Sequence, residues 1–231
     1  MKVAILNFSG NVGKTTIARH LLAPRMNADV VSIESANADD GEADAIRGKQ
    51  FAALQQALLV ADNLIVDIGA SNIEDLLAAM QKYKGSHEDF DFFIVPVVGD
   101  TKQQRDTAST LVKLAGLGVM PARLRLVLNR VDSSVAVNDQ FGTLEAFLSA
   151  NPVCEFNAGC SITENEIYQR VKHDSRSVRE LAEDKTDFKA LIAKSKDLDE
   201  KRKHAEGLAV KRLAAGVLPE LDACYEALAL Q

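Results

Sequence analysis

The stretch Val3-Ala4-Ile5-Leu6-Asn7-Phe8-Ser9-Gly10-Asn11-Val12-Gly13-Lys14-Thr15-Thr16 decides the fold. An apolar run leads into a turn that holds two glycines, and the turn opens a helix-like segment, Ile17 to Leu22. A strand, a Gly-Lys-Thr-Thr run and a helix in that order describe a phosphate-binding loop. Gly10 and Gly13 lack a Cβ, so the backbone N–H groups from Ser9 through Asn11, Val12 and on to Thr16 can converge on phosphate oxygens at a helix start. Lys14 can then reach the β- and γ-phosphates, and the Thr15 hydroxyl can ligate Mg²⁺. A Gly-containing turn with an exposed lysine is the plainer reading, but it does not explain why all three parts come in the required order. One position departs from G-x-x-x-x-G-K-[ST]: counting back from Lys14, Phe8 stands in the place of the first glycine.

At 231 residues the chain can hold one α/β domain with a buried core, and it is short for two independent domains. The expected division is a nucleotide-binding domain over 1–174 and a helical extension over 175–231 packed on it. With 26% charged residues and a net charge of -6, the body does not attract nucleic acid by bulk charge. No apolar run reaches the length of a membrane span, and the loop begins so close to Met1 that no signal peptide fits before it. The expected location is the cytoplasm. Cys154, Cys160 and Cys224 are odd in number and lack C-x-x-C spacing, so they read as free thiols buried as small apolar residues.

Working outward from the loop, a helix is expected to end near Pro24, and Asp29 to Glu34 reads as a second, β-branched strand. Gln50 to Ala61 has helical spacing, and Asn63-Leu64-Ile65-Val66-Asp67 is an apolar strand closed by an aspartate. Ile73 to Tyr83 is a further helix, and Phe92 to Val98 a strand in which Pro96 is expected to end the pairing. Thr101 to Leu117 is helical, and Arg123 to Leu128 is the next strand, running into Asn129-Arg130-Val131-Asp132. Beyond it, Phe141 to Leu148 reads as a helix, Val153-Cys154-Glu155-Phe156 as a short last strand and Glu164 to Val171 as a helix. After Ser175 only helical periodicity remains. The alternation predicts a mostly parallel sheet of the P-loop NTPase class, flanked by helices, with a C-terminal helical extension. Ligands of such sheets bind outside the carboxyl ends of the strands, where Gly10, Glu34, Asp67 and Asn129 all fall.

Asp67 can hold Mg²⁺ there, directly or through water. Glu34 either orients and activates an attacking water or is a solvated strand-end acid. Asn129 offers a donor and an acceptor from one amide, which suits the edge of a purine.

Residues 7–16 resemble the deviant Walker loop of the ParA and MinD ATPases, which position plasmids, chromosomes and division proteins. Their loop reads Lys-Gly-Gly-x-Gly-Lys-Thr-Thr, so Ser9 replaces the signature lysine and Asn11 a glycine. Asp67-Ile68-Gly69-Ala70-Ser71-Asn72 resembles the segment after the second Walker motif, and Val127-Leu128-Asn129-Arg130-Val131 the stretch whose asparagine touches adenine. Within the family, the short spacing from loop to Asp67 and the helical tail are similar to the StbB plasmid stability and TraL conjugation proteins. The resemblance implies ATP or ADP with Mg²⁺, a nucleotide-dependent homodimer and a DNA-binding or conjugation partner protein. Lys14, Glu34 and Asp67 become the catalytic set, Thr15 and Asp67 the metal ligands, and the loop with Asn129 and Arg130 the nucleotide contacts. Ser9 and the Ser32-Ile33-Glu34 run, where the family has Asp-x-Asp, support nucleotide binding better than fast hydrolysis. A GTP switch is the alternative raised by Asn129-x-x-Asp132, and a small-molecule kinase a second, without the arginine-rich lid it would need. Lys194, Lys196, Lys201, Arg202, Lys203, Lys211 and Arg212 are interleaved with acids, a pattern of a charge-laced solvent face rather than of direct DNA binding.

Overall fold

Strand β1 (Lys2–Ile5) lies inside a six-stranded sheet of order β2-β3-β1-β4-β5-β6, in which every pairing is parallel. The other strands are β2 (Asp29–Ile33), β3 (Leu64–Ile68), β4 (Phe92–Val97), β5 (Leu124–Val131) and β6 (Ser161–Thr163). This computed structural model describes residues 1–33 and 43–231, with side chains from 50 onward in the second stretch. Glu34 therefore lies outside the described residues.

A parallel sheet buries both faces under crossover helices, and the central strands read as unbroken apolar runs for that reason. The period of two is visible in the packing. Ala4, Leu6, Val66, Phe93, Val95, Leu126 and Leu128 join one core cluster, with Phe51 and Leu54 from the helix on that face. Val3, Ile5, Ile65, Ile94 and Val127, one residue out of step, are fully buried too. β2 is an edge strand and is mostly exposed.

Helix α1 (Lys14–Thr16) continues through a π-helical stretch, Ile17–Leu22, into α2 (Ala23–Met26). The helix ends at Met26, two residues past Pro24 and near where it was expected to end. A proline lacks the N–H that would bond back along the helix. Here Arg25 supplies the donors instead, its Nη1 giving hydrogen bonds to the carbonyls of His20 (3.0 Å) and Leu21 (2.9 Å). Asn27, in the left-handed region at φ 47°, closes the helix. The following helices are α3 (Ala43–Val60), α4 (Ile73–Lys82), α5 (Thr101–Gly116), α6 (Val137–Gln140) and α7 (Gly142–Ala150). Asp100 caps α5, its Oδ1 accepting from the N–H groups of Lys102 (2.9 Å) and Gln103 (3.3 Å).

Two expectations need correction. Pro96 does not end its strand: it pairs with Val127, and β4 runs on to Val97. The last strand is not Val153–Phe156, which is irregular, but Ser161–Thr163. Val153 and Phe156 pack on the core and Cys154 is buried, so apolar character there reflects burial without pairing. Cys160 and Cys224 are buried as well, and burial pushes the Cys154 thiol up to about 12 and the Cys160 thiol up to about 11.

Two compact units divide the chain, 1–164 with 224–231, and 165–223. The second contains α8 (Ile167–Arg170), α9 (Val178–Ala182), α10 (Phe188–Lys194) and most of α11 (Leu198–Ala227). Within it Gly207 of α11 faces the Phe188 ring, which a Cβ would displace, and Arg179 bonds Asp222 at 2.7 Å.

Candidate functional site

Among the described residues, the sheet brings the strand ends that carry Asp67 and Asn129 to the loop. Parallel register sets Asp67 beside Ile5, and Ser32 beside Asp67, so the carboxylate stands next to the strand that feeds the loop. Thr15, in the first turn of α1, donates its hydroxyl to Asp67 Oδ2 at 2.6 Å. This hydroxyl–carboxylate pair is the donor set that a hard cation takes from a P-loop threonine and a neighbouring acid.

Lys14 is buried at 9% exposure, and its Nζ donates to the carbonyls of Ser9 (2.9 Å) and Asn7 (3.2 Å). An ammonium has three N–H donors. Two are spent on the loop itself, which leaves one for a ligand. Burial lowers the lysine's pKa, and the Asp67 charge opposes the shift without cancelling it.

The loop's conformation explains its residues. Asn11 and Gly13 adopt left-handed backbone angles, φ 58° and 92°. Asparagine is among the few side chains that tolerate that region, so Asn11 can fill the position of the glycine in the resembling loops. Gly13 has a second constraint: a Cβ there would collide with the amide nitrogen of Asn129. Neither Gly10 nor Phe8 has a positive φ, so the missing first glycine costs this backbone nothing. Among the described residues, no atom lies within reach of a Cβ on Gly10, which leaves room there for a phosphate to approach the backbone.

Asn129, 3% exposed at the end of β5, donates its Nδ2 to the Val12 carbonyl at 2.8 Å. Its position is thus against the back of the loop. Arg130 follows it on the surface, in a left-handed conformation at φ 53° and at a bulge in the β5–β6 pairing. Asp132 Oδ1 accepts from the backbone N–H (2.8 Å) and hydroxyl (2.6 Å) of Ser134, and these two bonds hold the carboxyl below its usual range.

Asn7 organises the loop from beneath, a role that the sequence did not reveal. It is fully buried, and its Nδ2 donates to Pro96 O (2.7 Å) and to Thr107 Oγ1 (2.6 Å), while its Oδ1 accepts from Ser9 N (2.8 Å). Phe8 N donates to Thr110 Oγ1 at 3.1 Å. Thr107 and Thr110 send their own protons to helix carbonyls, of Gln103 (2.7 Å) and Asp106 (2.8 Å), so their lone pairs remain for the loop. The available signal was polar residues on the buried face of α5: Gln104, Thr107 and Thr110 recur at helical spacing with Leu111 and Leu114. A cavity of about 590 Å³ lies elsewhere, between β2, α3 and α4, and its lining is mostly apolar.

No protein-family model matches the chain, and no curated protein matches it. Among solved structures it is similar to apo McdA of Cyanothece, with a TM-score of 0.54, 18% identity and coverage of 92% of this chain and 98% of that one. It is also similar to the septum site-determining protein MinD of Pyrococcus horikoshii, solved with Mg-ADP, with a TM-score of 0.51, 13% identity and coverage of 94% and 95%. A third similar structure is pNOB8 ParA, with a TM-score of 0.50, 13% identity and coverage of 96% and 98%. These likenesses bear out the expected fold: a parallel P-loop sheet flanked by helices and followed by a long C-terminal helix, as in the ParA, MinD and McdA structures.

Proposed function

We propose that this chain is a Mg²⁺-dependent adenine-nucleotide switch of the ParA and MinD kind, slow to hydrolyse ATP by itself. Its output would be plasmid stability, positioning or conjugative transfer, through a DNA-binding or conjugation partner protein. The observation that carries the reading is the buried Lys14 ammonium inside the loop, beside the 2.6 Å pair of Thr15 and Asp67. A buried cation that keeps one donor free needs an anion to complete its environment, and a hydroxyl paired to a carboxylate can admit a hard metal ion. When bound, Mg²⁺ would neutralise charge on the terminal phosphates. Thr15 and Asp67 would hold it, Lys14 and the N–H groups of 9–16 would bind the phosphates, and Glu34, by its place in the sequence, would orient water.

Slow turnover follows from Ser9. The signature lysine of ParA-like proteins crosses to the phosphates of a partner subunit, and a serine brings no charge there. Ser9 is buried, its N–H bonds Asn7 and its carbonyl takes the Lys14 ammonium, so it serves its own loop. Adenine is favoured over guanine because Asp132, the residue of the Asn-x-x-Asp pattern that would read guanine, is engaged by Ser134. The MinD structure with Mg-ADP supports the choice of ligand by analogy.

The test is nucleotide identity after gentle purification, followed by light scattering and turnover with ATP and Mg²⁺, with and without DNA, on the protein and on Ser9→Lys. ATP binding with little turnover and weak dimers, both raised in Ser9→Lys, is the expected result. Failure to bind ATP overturns the nucleotide reading, and tight ATP-dependent dimers with brisk turnover in the unaltered protein overturn the argument from Ser9.

A further inference from the structure

The chain leaves the first compact unit at Glu164 and returns to it at Cys224. What holds the returning segment is specific. A helix ends with carbonyls that have no partner in the helix itself, and those that close α11 are taken up by residues far away in sequence. Arg125 Nε, on β5, donates to the Leu228 carbonyl at 2.7 Å, across 103 positions. Asn157 Nδ2 donates to the Ala227 carbonyl at 3.2 Å. Ala229, at φ 47°, turns the chain out of the helix in the left-handed conformation that closes such ends.

Arg125 is built for this task. Its Nη1 donates to the carbonyls of Ala122 (2.7 Å) and Leu124 (3.0 Å), and its guanidinium lies 5.1 Å over the Phe92 ring, so the fork is fixed before it meets Leu228. Among the described residues no carboxylate forms an ion pair with it. Its counter-charge is the negative end of the 30-residue helix α11. Asn157 is held in turn, because its Oδ1 accepts from Gly159 N at 2.9 Å, and a Cβ on Gly159 would stand 3.4 Å from the Ala227 methyl. The irregular stretch before β6, which pairs with no strand, thus supplies a shelf for the end of α11. Cys224 and Leu228, one helical turn apart, are buried at 1% and 0% exposure.

We propose that residues 224–231 are a strap, seated on the first unit by Arg125 and Asn157, which opens as a piece without unfolding that unit. Seated, the strap ties unit 165–223 to the first unit at both of its ends. Released, it leaves that unit joined at residues 164–165 alone, among the described residues. Cys224 reports the opening, because its thiol travels with the strap. Cys154 reports the first unit as a whole, because it belongs to the main core cluster.

The experiment labels the full chain with iodoacetamide across low denaturant concentrations and assigns the label to each cysteine by peptide mass spectrometry. In the unaltered protein Cys224 is expected to label at least about tenfold faster than Cys154 and with a smaller denaturant slope, as a local opening exposes less surface than global unfolding. Arg125→Ala should speed Cys224 labelling by about ten- to a hundredfold and Asn157→Ala by about three- to tenfold, with Cys154 changed by less than about threefold in both. Arg125→Lys keeps the charge and loses the fork, so it should fall between Arg125→Ala and the unaltered protein. Equal rates and equal slopes for the two cysteines in the unaltered protein would overturn the proposal, since the segment would then open only when the whole unit does. Equal acceleration of both cysteines in Asn157→Ala would overturn it as well. If Arg125→Ala does not fold, the slopes of the unaltered protein and the Asn157→Ala comparison still decide.

Discussion

Asn129 and Gly13 occupy mutually exclusive space: the amide that bonds the Val12 carbonyl at 2.8 Å sits where a side chain on residue 13 would begin. Gly13 is thereby fixed twice, by its φ of 92° and by the asparagine behind it.

Gly13→Ala should therefore destabilise the protein beyond the roughly 1–2 kcal/mol of a left-handed alanine. Combining it with Asn129→Ala removes the collision and leaves only the backbone strain. Denaturant melts of the two single variants and the double variant measure the coupling, and a double variant more stable than the summed losses of the singles predict confirms a shared contact. Strict additivity would mean that loop and strand end do not press on one another.

Asp67→Asn should weaken ATP binding in Mg²⁺ by about tenfold or more and change binding in a chelator by less than about twofold, because the carboxylate acts through the ion. Titrations with and without Mg²⁺ make the comparison. Equal losses in both would assign Asp67 a role in holding Thr15 alone.

Lys14 titrates below the ordinary lysine value of 10.5, because its burial disfavours the charged form more than Asp67 favours it. A bound triphosphate adds negative charge and raises that pKa, so binding takes up a proton once the free protein's Lys14 is neutral. Affinity should be full below the depressed pKa and fall by up to about tenfold per pH unit above it. The fall should begin below the ordinary lysine range, and Lys14→Arg should flatten it. Unfolding shows the opposite sign. In the window between the depressed pKa and 10.5 the unfolded chain binds more protons, so the ligand-free fold gains stability as pH rises.

Asn7→Ala should cost about 2–4 kcal/mol, since it leaves Pro96 O and Ser9 N without their partners in a buried position. Nucleotide affinity should drop as well, because Ser9 O and Asn7 O seat the Lys14 ammonium. Melts and titrations of Asn7→Ala against Asn7→Asp separate packing from donation; the carboxylate can still accept from Ser9 N and cannot donate to Pro96 O.

The strands were legible wherever both faces are buried, because Val3–Leu6, Leu64–Asp67 and Phe92–Val97 then become apolar runs with no competing period. The loop was legible because Lys14, Thr15 and the glycines are constrained by local geometry. β6 was not. Three residues carry too little pattern, and the more apolar Val153–Phe156 packs without pairing. The helix runs two residues past Pro24, where Arg25 supplies donors to carbonyls four and five residues back. Asn7 could be quoted from the sequence and not understood, since the acceptors of its amide, Pro96 on β4 and Thr107 on α5, lie 89 and 100 positions away.

The π-helical stretch Ile17–Leu22 has a consequence for how length variation can be absorbed. Its hydrogen bonds reach one residue farther than those of an α-helix, so the segment stores a surplus residue within an otherwise regular cylinder. Upstream of that surplus, Lys14 and Thr15 are pinned by Ser9, Asn7 and Asp67. Downstream, Asn27 closes the helix and hands the chain to the exposed edge strand. Removing one residue from the stretch would wind it back to the common form and leave the helix on either side in register, whereas the same deletion in an ordinary α-helix would rotate everything beyond it by about 100°. The stretch is thus a seam: the loss of one residue there would be taken up by the winding and felt neither at the loop nor at β2.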